Sequence, residues 1–139
     1  MKKCYIAGPY SSPAECIAYD NIQNARKTAM NFWSFGFSVF CPHLNTAHMG
    51  DWISHDRFVE GDLEWLKHSD LVILLPRWHK SSGSRSEERM AELCQIPTFL
   101  SHNDADNRYT THYMPPQYEH IYSNIMTNLT FTELASRDD

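Results

Sequence analysis

Short apolar runs alternate with helical segments over the first hundred residues, and this alternation restricts the fold more than any other feature. Four runs have the length and composition of buried strands: residues 3–7 (KCYIA), 37–41 (FSVFC), 71–75 (LVILL) and 97–100 (PTFL). The third run is apolar throughout, which suits a strand covered on both faces. The segments between the runs carry apolar residues at helical spacing, so the order of elements is βαβαβαβ.

This order predicts an α/β fold: a Rossmann-like or flavodoxin-like parallel sheet of four to five strands with helices on both faces. The 139 residues suit a single domain. We expect its core within residues 1–101. Residues 102–118 are polar and contain Pro115-Pro116, so they are predicted to form a long loop, followed by a C-terminal helix that is a possible subunit contact.

The ends of the first helix are marked by residues with known capping preferences. Ser12 is predicted as its N-cap, with Pro13 in the first position and Glu15 completing a capping box. Gly36 is predicted to end this helix. A second helix is indicated by Val59, Leu63 and Leu66, and a third by residues 87–94.

Composition and charge exclude several classes of protein. The net charge is −5, and the basic residues are scattered rather than clustered, so binding to polymeric nucleic acid is not expected. No apolar run approaches the roughly 20 residues of a membrane span. The apolar stretch behind Met1 is too short for a signal peptide, so we expect a cytoplasmic protein. The four cysteines show no CxxC spacing and are predicted to be buried thiols without disulfides.

The predicted sheet indicates where a ligand would bind. In parallel sheets, ligands bind beyond the carboxyl ends of the strands. Three loops follow strands in this chain: residues 8–12, 42–56 and 76–86. We therefore expect the functional residues in or directly after these loops.

Glu87 is the strongest candidate for chemistry. It shares one predicted helix face with the apolar residues Met90, Ala91 and Cys94. We place it in the first turn after a strand, where the helix N-terminus favours the ionised carboxylate. An ionised carboxylate suits a nucleophile better than a general acid. The spacing is equally compatible with a Glu87 that caps its own helix.

The loop before Glu87, residues 81–86, is rich in serine and contains Gly83. A loop of this kind at a helix start offers backbone N–H groups and hydroxyls to a phosphate or carboxylate. It lacks the GxxxxGK[ST] pattern of a Walker loop. An ordinary capping turn explains the same residues equally well.

Three further residues are candidates for the same edge of the sheet. Asp62 lies beside the apolar stripe of the second helix and can reach the mouth of the sheet. Tyr5 lies inside the first strand, where a buried hydroxyl needs a partner. His43 directly follows the second strand and is predicted to contact a base or sugar. The eight histidines match no metal-site spacing, so no metal is predicted. Asp70 precedes a strand at the opposite edge and is predicted to be a structural hydrogen-bonding residue.

Three segments together resemble the nucleoside 2-deoxyribosyltransferase superfamily. These are residues 5–8 (YIAG), residues 62–70 (DLEWLKHSD) and Ser81-x-Gly83-x-x-x-Glu87-x-x-x-Ala91. The likeness covers residues 3–100 and is strongest to the branch of 2'-deoxynucleoside 5'-phosphate N-hydrolases and related pyrimidine-nucleotide hydrolases. The Pro42-His43 and Trp78-x-x-Ser81 segments also resemble an uncharacterised, often phage-borne group of the same superfamily.

The resemblance implies a role for each matching residue. Glu87 matches the nucleophile that attacks the anomeric carbon, and Asp62 matches the acid that assists at the sugar and leaving base. Tyr5 matches the tyrosine that orients the nucleophile. Gly8 matches the glycine that lets the first loop approach the ligand, and His43 matches a histidine near the base.

The loop residues discriminate between branches of the superfamily. Ser81 and Gly83 match the loop that holds a 5'-phosphate in the hydrolases, whereas transferases typically carry an aspartate at the position of Ser81. A serine donates to a phosphate, whereas an aspartate would repel it. Tyr10 and Ser11, predicted to bind substrate, stand where the hydrolases bring an arginine to the phosphate. Three basic residues are candidates to replace that arginine: Arg77, Lys80 and Arg85.

The resemblance therefore implies an N-glycosidase that hydrolyses (deoxy)nucleoside 5'-monophosphates to free base and (deoxy)ribose 5-phosphate. Two alternatives stay open: a 2-deoxyribosyltransferase that exchanges bases, and a protein that binds a nucleotide without turnover. The expected partner is a small nucleotide or nucleoside, and no cofactor is implied. The resemblance also implies a homodimer or larger homo-oligomer, in which Asn124 and Asn128 are candidate donors to a neighbour's site.

Overall fold

The computed structural model describes residues 1–10, 14–47, 49–103, 108–122 and 128–137. Within these residues the strands are β1 (Lys3–Ala7), β2 (Ser38–Phe40), β3 (Leu71–Leu74), β4 (Thr98–Asn103) and β5 (Arg108–Tyr113). The helices are α1 (Glu15–Phe35), α2 (Pro42–Asn45), α3 (His55–Leu66), α4 (Ser82–Leu93), α5 (Glu119–Tyr122) and α6 (Asn128–Ala135). Short 3-10 helices cover Trp78–Lys80 and Pro116–Tyr118.

The strands form one sheet in the order β2-β1-β3-β4-β5. The first four are parallel, and β5 runs antiparallel to β4 at the edge. This is the flavodoxin-like strand order, in which the chain reverses its direction of winding between β1 and β3. The α/β fold predicted from the sequence is confirmed.

Helices cover both faces of the sheet because successive side chains of each strand point to opposite faces. Ile6 and Ile73 belong to a core that includes Phe32 of α1. Tyr5, their neighbour on the opposite face, belongs to a second core with Leu66 of α3. Burying each large apolar side chain stabilises the fold by about 1.5–3 kcal/mol. The alternation therefore directs Tyr5 toward the layer that contains α3 and α4.

The first core extends beyond residue 101. Phe131 of α6 is fully buried, and its ring centroid lies 5.0 Å from that of Phe32. Tyr109 of β5 packs edge-on against both rings. The C-terminal segment thus closes the face of the sheet that α1 covers.

The predicted long loop over residues 102–118 is wrong, because β4 continues to Asn103 and β5 occupies Arg108–Tyr113. An edge strand covered on one face needs few apolar residues. In β5 only Tyr109 is fully buried. The alternation of apolar and polar residues that marks a strand is consequently weak in this segment.

The start of α1 and the state of two cysteines differ from the predictions. Helix α1 begins at Glu15 after an extended Ala14, while Ser12 and Pro13 lie outside the described residues. Cys16 and Cys94 are exposed rather than buried, because they lie on the solvent sides of α1 and the end of α4.

Two predicted structural residues are confirmed. Gly36 ends α1 with a φ of 107°, a left-handed conformation that favours glycine. The Asp70 carboxylate accepts a hydrogen bond of 2.7 Å from the backbone N–H of Lys3, tying the starts of β1 and β3 together. In the part of the chain that the structure describes, no helix is long and apolar enough to cross a membrane.

Candidate active site

A cavity of about 400 Å³ opens beyond the carboxyl ends of β1 and β3. Its volume lies in the range of small-molecule sites. Seven residues predicted to form the site line it: Gly8, Tyr10, His43, Asp62, Ser81, Gly83 and Glu87. Tyr5 lies in the wall behind Glu87. The predicted residues Ser11 and Asn124 lie outside the described residues.

Glu87 and Tyr5 form a buried pair. The Tyr5 hydroxyl donates a hydrogen bond to Oε2 of Glu87. Tyr5 is fully buried, and Glu87 is 8% exposed. The contact joins the middle of β1 to α4, so the strand fixes one carboxylate oxygen while Glu87 still lines the cavity. A hydrogen bond of this kind orients a carboxylate toward one reaction path.

The ring of Tyr5 is held by a stack of aromatic side chains. Its centroid lies 5.6 Å from that of Phe40 in β2, and the two rings are stacked. Phe40 stacks in turn on Trp65 of α3, at 5.2 Å. Aromatic pairs in this geometry contribute about 0.5–1.5 kcal/mol beyond area burial. The stack therefore limits the positions that the Tyr5 hydroxyl can take.

The ionised Glu87 expected from the sequence is not the form that its surroundings favour. Burial raises the pKa of Glu87 to about 8, the Tyr5 hydrogen bond lowers it, and the negative charge of Asp62 raises it. Helix α4 begins at Ser82, so Glu87 lies in the second turn rather than the first. The favourable field of a helix N-terminus falls off within the first turn, and desolvation dominates.

Asp62 supplies a second carboxyl group to the same cavity. Burial raises the pKa of Asp62 to about 6, and the neighbouring His55 lowers it. Because ionised Asp62 raises the pKa of Glu87, the two carboxyl groups are coupled. At neutral pH the pair therefore holds one proton.

His43 lines the cavity, but both of its ring nitrogens have neighbours in the protein. Nε2 lies 2.9 Å from the carbonyl oxygen of Pro9, and Nδ1 lies 3.9 Å from Sγ of Cys41. Burial lowers the pKa of His43, and hydrogen bonds to Pro9 and Gly8 raise it. A neutral ring that donates from Nε2 to Pro9 fits these contacts. His43 thus holds the loop that follows β1.

Ser81 and Gly83 form the start of α4. The Ser81 hydroxyl accepts a hydrogen bond of 3.3 Å from the Ser84 N–H, so Ser81 is the N-cap of this helix. A Cβ placed on Gly83 would meet Val59 at 3.8 Å, an ordinary contact. The protein itself therefore leaves space for a side chain at residue 83.

Gly8 has a packing role in addition to its place in the cavity wall. A Cβ at residue 8 would lie 2.6 Å from Cβ of Leu75, far inside any normal contact. The absence of a side chain allows the end of β1 to approach the end of β3, which brings the two loops of the cavity together.

The sequence interpretation missed Asn21, and its signal was present. Asn21 lies four residues after Ile17 and four before Ala25, so it interrupts the apolar stripe of α1. It is 5% exposed and lines the cavity. A polar residue on an apolar face was also the signal that identified Glu87.

No group of three histidine, cysteine, aspartate or glutamate side chains capable of holding a metal ion is found among the described residues. His48, part of the histidine-rich loop, lies outside them.

The strand order and the position of the cavity define the class of this protein, an α/β protein with a flavodoxin-like sheet and a cavity beyond its strand ends. It is similar to the solved structure of a 2-deoxyribosyltransferase from the psychrotolerant bacterium Bacillus psychrosaccharolyticus, described as a biocatalyst for the synthesis of nucleosides. The TM-score is 0.55, the identity is 19%, and the match covers 70% of each chain. This likeness shows that the two proteins share a fold.

The chain belongs to the DUF4406 family, a domain of unknown function, whose model matches residues 2–100. No match was found among curated proteins.

Proposed function

We propose that this protein cleaves the N-glycosidic bond of a nucleoside or nucleotide, with Glu87 as nucleophile and Asp62 as the acid that assists the leaving base. The observation that carries the proposal is the buried Glu87, held by Tyr5 and sharing one cavity with Asp62. Binding alone does not need two coupled carboxyl groups, whereas cleavage of a glycosidic bond uses two.

The first step forms a glycosyl-enzyme. A Glu87 oxygen attacks the anomeric carbon as the bond from this carbon to the base nitrogen breaks, and the electron pair leaves with the base. The proton held by the two carboxyl groups passes through Asp62 to the base. The ionised Glu87 balances the positive charge that develops on the sugar.

The second step releases the sugar from Glu87. The acceptor attacks the anomeric carbon, the ester bond to Glu87 breaks, and its electron pair returns to the carboxylate. The acceptor's proton passes to Asp62, which restores the pair to its starting state. A base as acceptor gives a new nucleoside, and water as acceptor gives the free sugar or sugar phosphate.

The likeness to a 2-deoxyribosyltransferase supports transfer to a second base better than hydrolysis. Hydrolysis of a 5'-monophosphate is the second candidate, and Ser81 favours it. This residue caps α4 at the cavity, where the resemblance places an aspartate in the transferases. Binding without turnover is the third candidate, which the coupled carboxyl groups disfavour.

Chromatography of the products separates these three candidates. The purified protein would be incubated with each deoxynucleoside and each deoxynucleoside 5'-monophosphate, with and without a second free base. Glu92→Gln is the matched control for Glu87→Gln, because Glu92 lies on the same helix but is exposed. New nucleosides indicate transfer, and free base without an acceptor base indicates hydrolysis. Tight binding with neither product would overturn the proposal.

We expect a bell-shaped pH dependence of kcat/KM, with limbs near pH 6 and pH 8. Below about pH 6 both carboxyl groups are protonated and no nucleophile is present; above about pH 8 both are ionised and no proton is available for the base. These limits belong to the pair rather than to either residue. Initial rates at low substrate from pH 5 to pH 9 measure them.

The control for this profile is Asp62→Asn. In this variant the acid limb reports the ionisation of Glu87 alone. Burial, the largest cause of the raised pKa of Glu87, remains, and only the smaller contribution of the Asp62 charge is lost, so this limb should move upward from about pH 6 and stay below about pH 8. The alkaline limb should disappear, because the variant lacks the group that delivers the proton. A wild-type rate that stays constant from pH 5 to pH 9 would refute the assigned roles.

The proposal includes a homo-oligomer, which the resemblance implies. The segment between α2 and α3 exposes three apolar side chains: Met49 (46%), Trp52 (89%) and Ile53 (42%). A contact between copies would cover such side chains. Light scattering during size-exclusion chromatography measures the mass that tests this part of the proposal.

A further inference from the structure

Arg77 occupies an unusual backbone conformation beside the cavity. Its φ is 66°, a left-handed value that is uncommon for any residue other than glycine. Such conformations cost about 1–3 kcal/mol and persist where the surrounding structure holds them. Arg77 lies three residues after the end of β3 and lines the cavity.

The Arg77 guanidinium is anchored to the opposite side of the cavity. Nη2 of Arg77 donates a hydrogen bond of 3.2 Å to Oδ1 of Asn21. The Nδ2 group of Asn21 donates one of 3.2 Å to the carbonyl oxygen of Tyr10. Asn21 is 5% exposed, whereas Arg77 is exposed, so the bridge is partly buried and leaves the guanidinium open to the cavity and to solvent. A guanidinium has five N–H donors, and the contact with Asn21 uses one of them.

The start of α4 contains a second feature that indicates a ligand, a buried hydroxyl group without a hydrogen-bond partner among the described residues. Ser84 is 1% exposed and lines the cavity, yet its hydroxyl has no hydrogen-bond partner among the described residues. A buried hydroxyl without a partner costs about 1–3 kcal/mol. It lies in the first turn of a twelve-residue helix, where backbone N–H groups and the helix dipole favour an anion.

Basic side chains line the cavity although the protein as a whole carries a net negative charge. The protein has a net charge of −5, but Arg77 and Lys80 both line the cavity. Arg85 does not line it, and its Nη1 donates instead to the carbonyl oxygen of His79 at 2.8 Å. Of the three basic residues that the sequence offered as phosphate ligands, the structure thus places two at the cavity.

We infer that Arg77, anchored by Asn21, recognises the 5'-phosphate of the substrate together with the Ser84 hydroxyl and the start of α4. The inference rests on the proposed function and names its substrate class, a nucleoside 5'-monophosphate, whichever acceptor completes the reaction. Glu87 lies three residues, or slightly less than one turn, beyond Ser84, which places the anion site and the nucleophile on the same side of one helix. The phosphate end and the anomeric carbon of one sugar then contact the same helix.

The test is calorimetric titration of the full-length Glu87→Gln protein, in which turnover is blocked. The probes are deoxyribose 5-phosphate, deoxyribose, inorganic phosphate, and the four deoxynucleoside 5'-monophosphates with their free deoxynucleosides. Adding Arg77→Gln should weaken binding of the phosphorylated sugars and nucleosides by about 10- to 100-fold, because charge-assisted hydrogen bonds are lost. Binding of deoxyribose and free deoxynucleosides should change less than about twofold.

Three further variants separate recognition from folding. Arg85→Gln is the matched control and should leave every affinity unchanged. Arg77→Lys keeps the charge without the planar fork and should recover part of the lost affinity. Asn21→Ala removes the anchor of Arg77 together with the hydrogen bond to the Tyr10 carbonyl, and it should weaken the phosphorylated probes more than the unphosphorylated ones, by less than Arg77→Gln does. Thermal unfolding of each variant checks that it is folded.

Two results would overturn the inference: equal weakening of phosphorylated and unphosphorylated probes, or no response to Arg77→Gln. Binding of inorganic phosphate without a preference for the phosphorylated sugar would also overturn it, since the site would then hold free phosphate. The proposed function has a separate readout. A wild-type protein that turns over no substrate, yet loses phosphate affinity with Arg77→Gln, refutes the glycosidic chemistry and retains the anion site.

Discussion

Replacing Glu87 with glutamine should lower kcat/KM by about 10⁴-fold or more, the size of loss seen when an enzyme loses its nucleophile. Glutamine keeps the shape of the side chain and an oxygen that can accept from Tyr5, but it cannot form an ester with the sugar. Steady-state release or exchange of base measures the loss.

The matched Glu92→Gln variant should retain activity within about twofold, as expected for an exposed residue remote from the chemistry. A Glu87→Gln protein that keeps more than a tenth of wild-type activity would show that this residue is not the nucleophile. The unfolding measurements described next show independently whether the Glu87→Gln protein is folded.

Glu87→Gln should also make the protein more stable at neutral pH. Burial raises the pKa of Glu87 from 4.5 to about 8, so the folded state binds this proton more tightly than the unfolded state. The contribution of Glu87 is therefore most favourable below pH 4.5, and stability falls as the pH rises to about 8. Glutamine removes this dependence. The variant should gain about 3 kcal/mol at pH 7 and almost nothing at pH 4.

Urea unfolding of both proteins at pH 4, 5.5, 7 and 8.5 measures the difference. The exposed Glu92→Gln variant should follow the wild-type curve across this range. Parallel curves for wild type and Glu87→Gln would mean that Glu87 ionises normally, which would remove the basis for the pH limbs expected of the activity.

The sequence was sufficient for the elements whose pattern is local. The apolar runs became β1 to β4, and Gly36 ended α1 as expected from its conformational freedom. The polar Glu87 on an apolar helix face indicated a residue that lines a cavity. Each of these signals depends on spacing along the chain, which a single sequence displays directly.

The features that the sequence did not predict, or predicted wrongly, depend on contacts between distant parts of the chain. Strand β5 is specified by pairing with β4, and its own residues give little alternation. The left-handed conformation of Arg77 and its bond to Asn21 join residues 56 positions apart. The pKa of Glu87 was predicted in the wrong direction because the start of α4 was placed too late, and because burial is a property of the folded protein.

The most direct test of the account is detection of a sugar bound covalently to Glu87. The protein would be mixed with a nucleoside, and in parallel its 5'-monophosphate, that carries fluorine on sugar carbon 2. The fluorine withdraws electrons and slows breakdown of the ester. After an acid quench, intact-protein and peptide mass spectrometry should show one fluorinated sugar on the peptide containing Glu87, and none in Glu87→Gln. Release of base with no adduct on the wild-type protein, or with an adduct on another residue, would contradict the assignment of Glu87 as nucleophile.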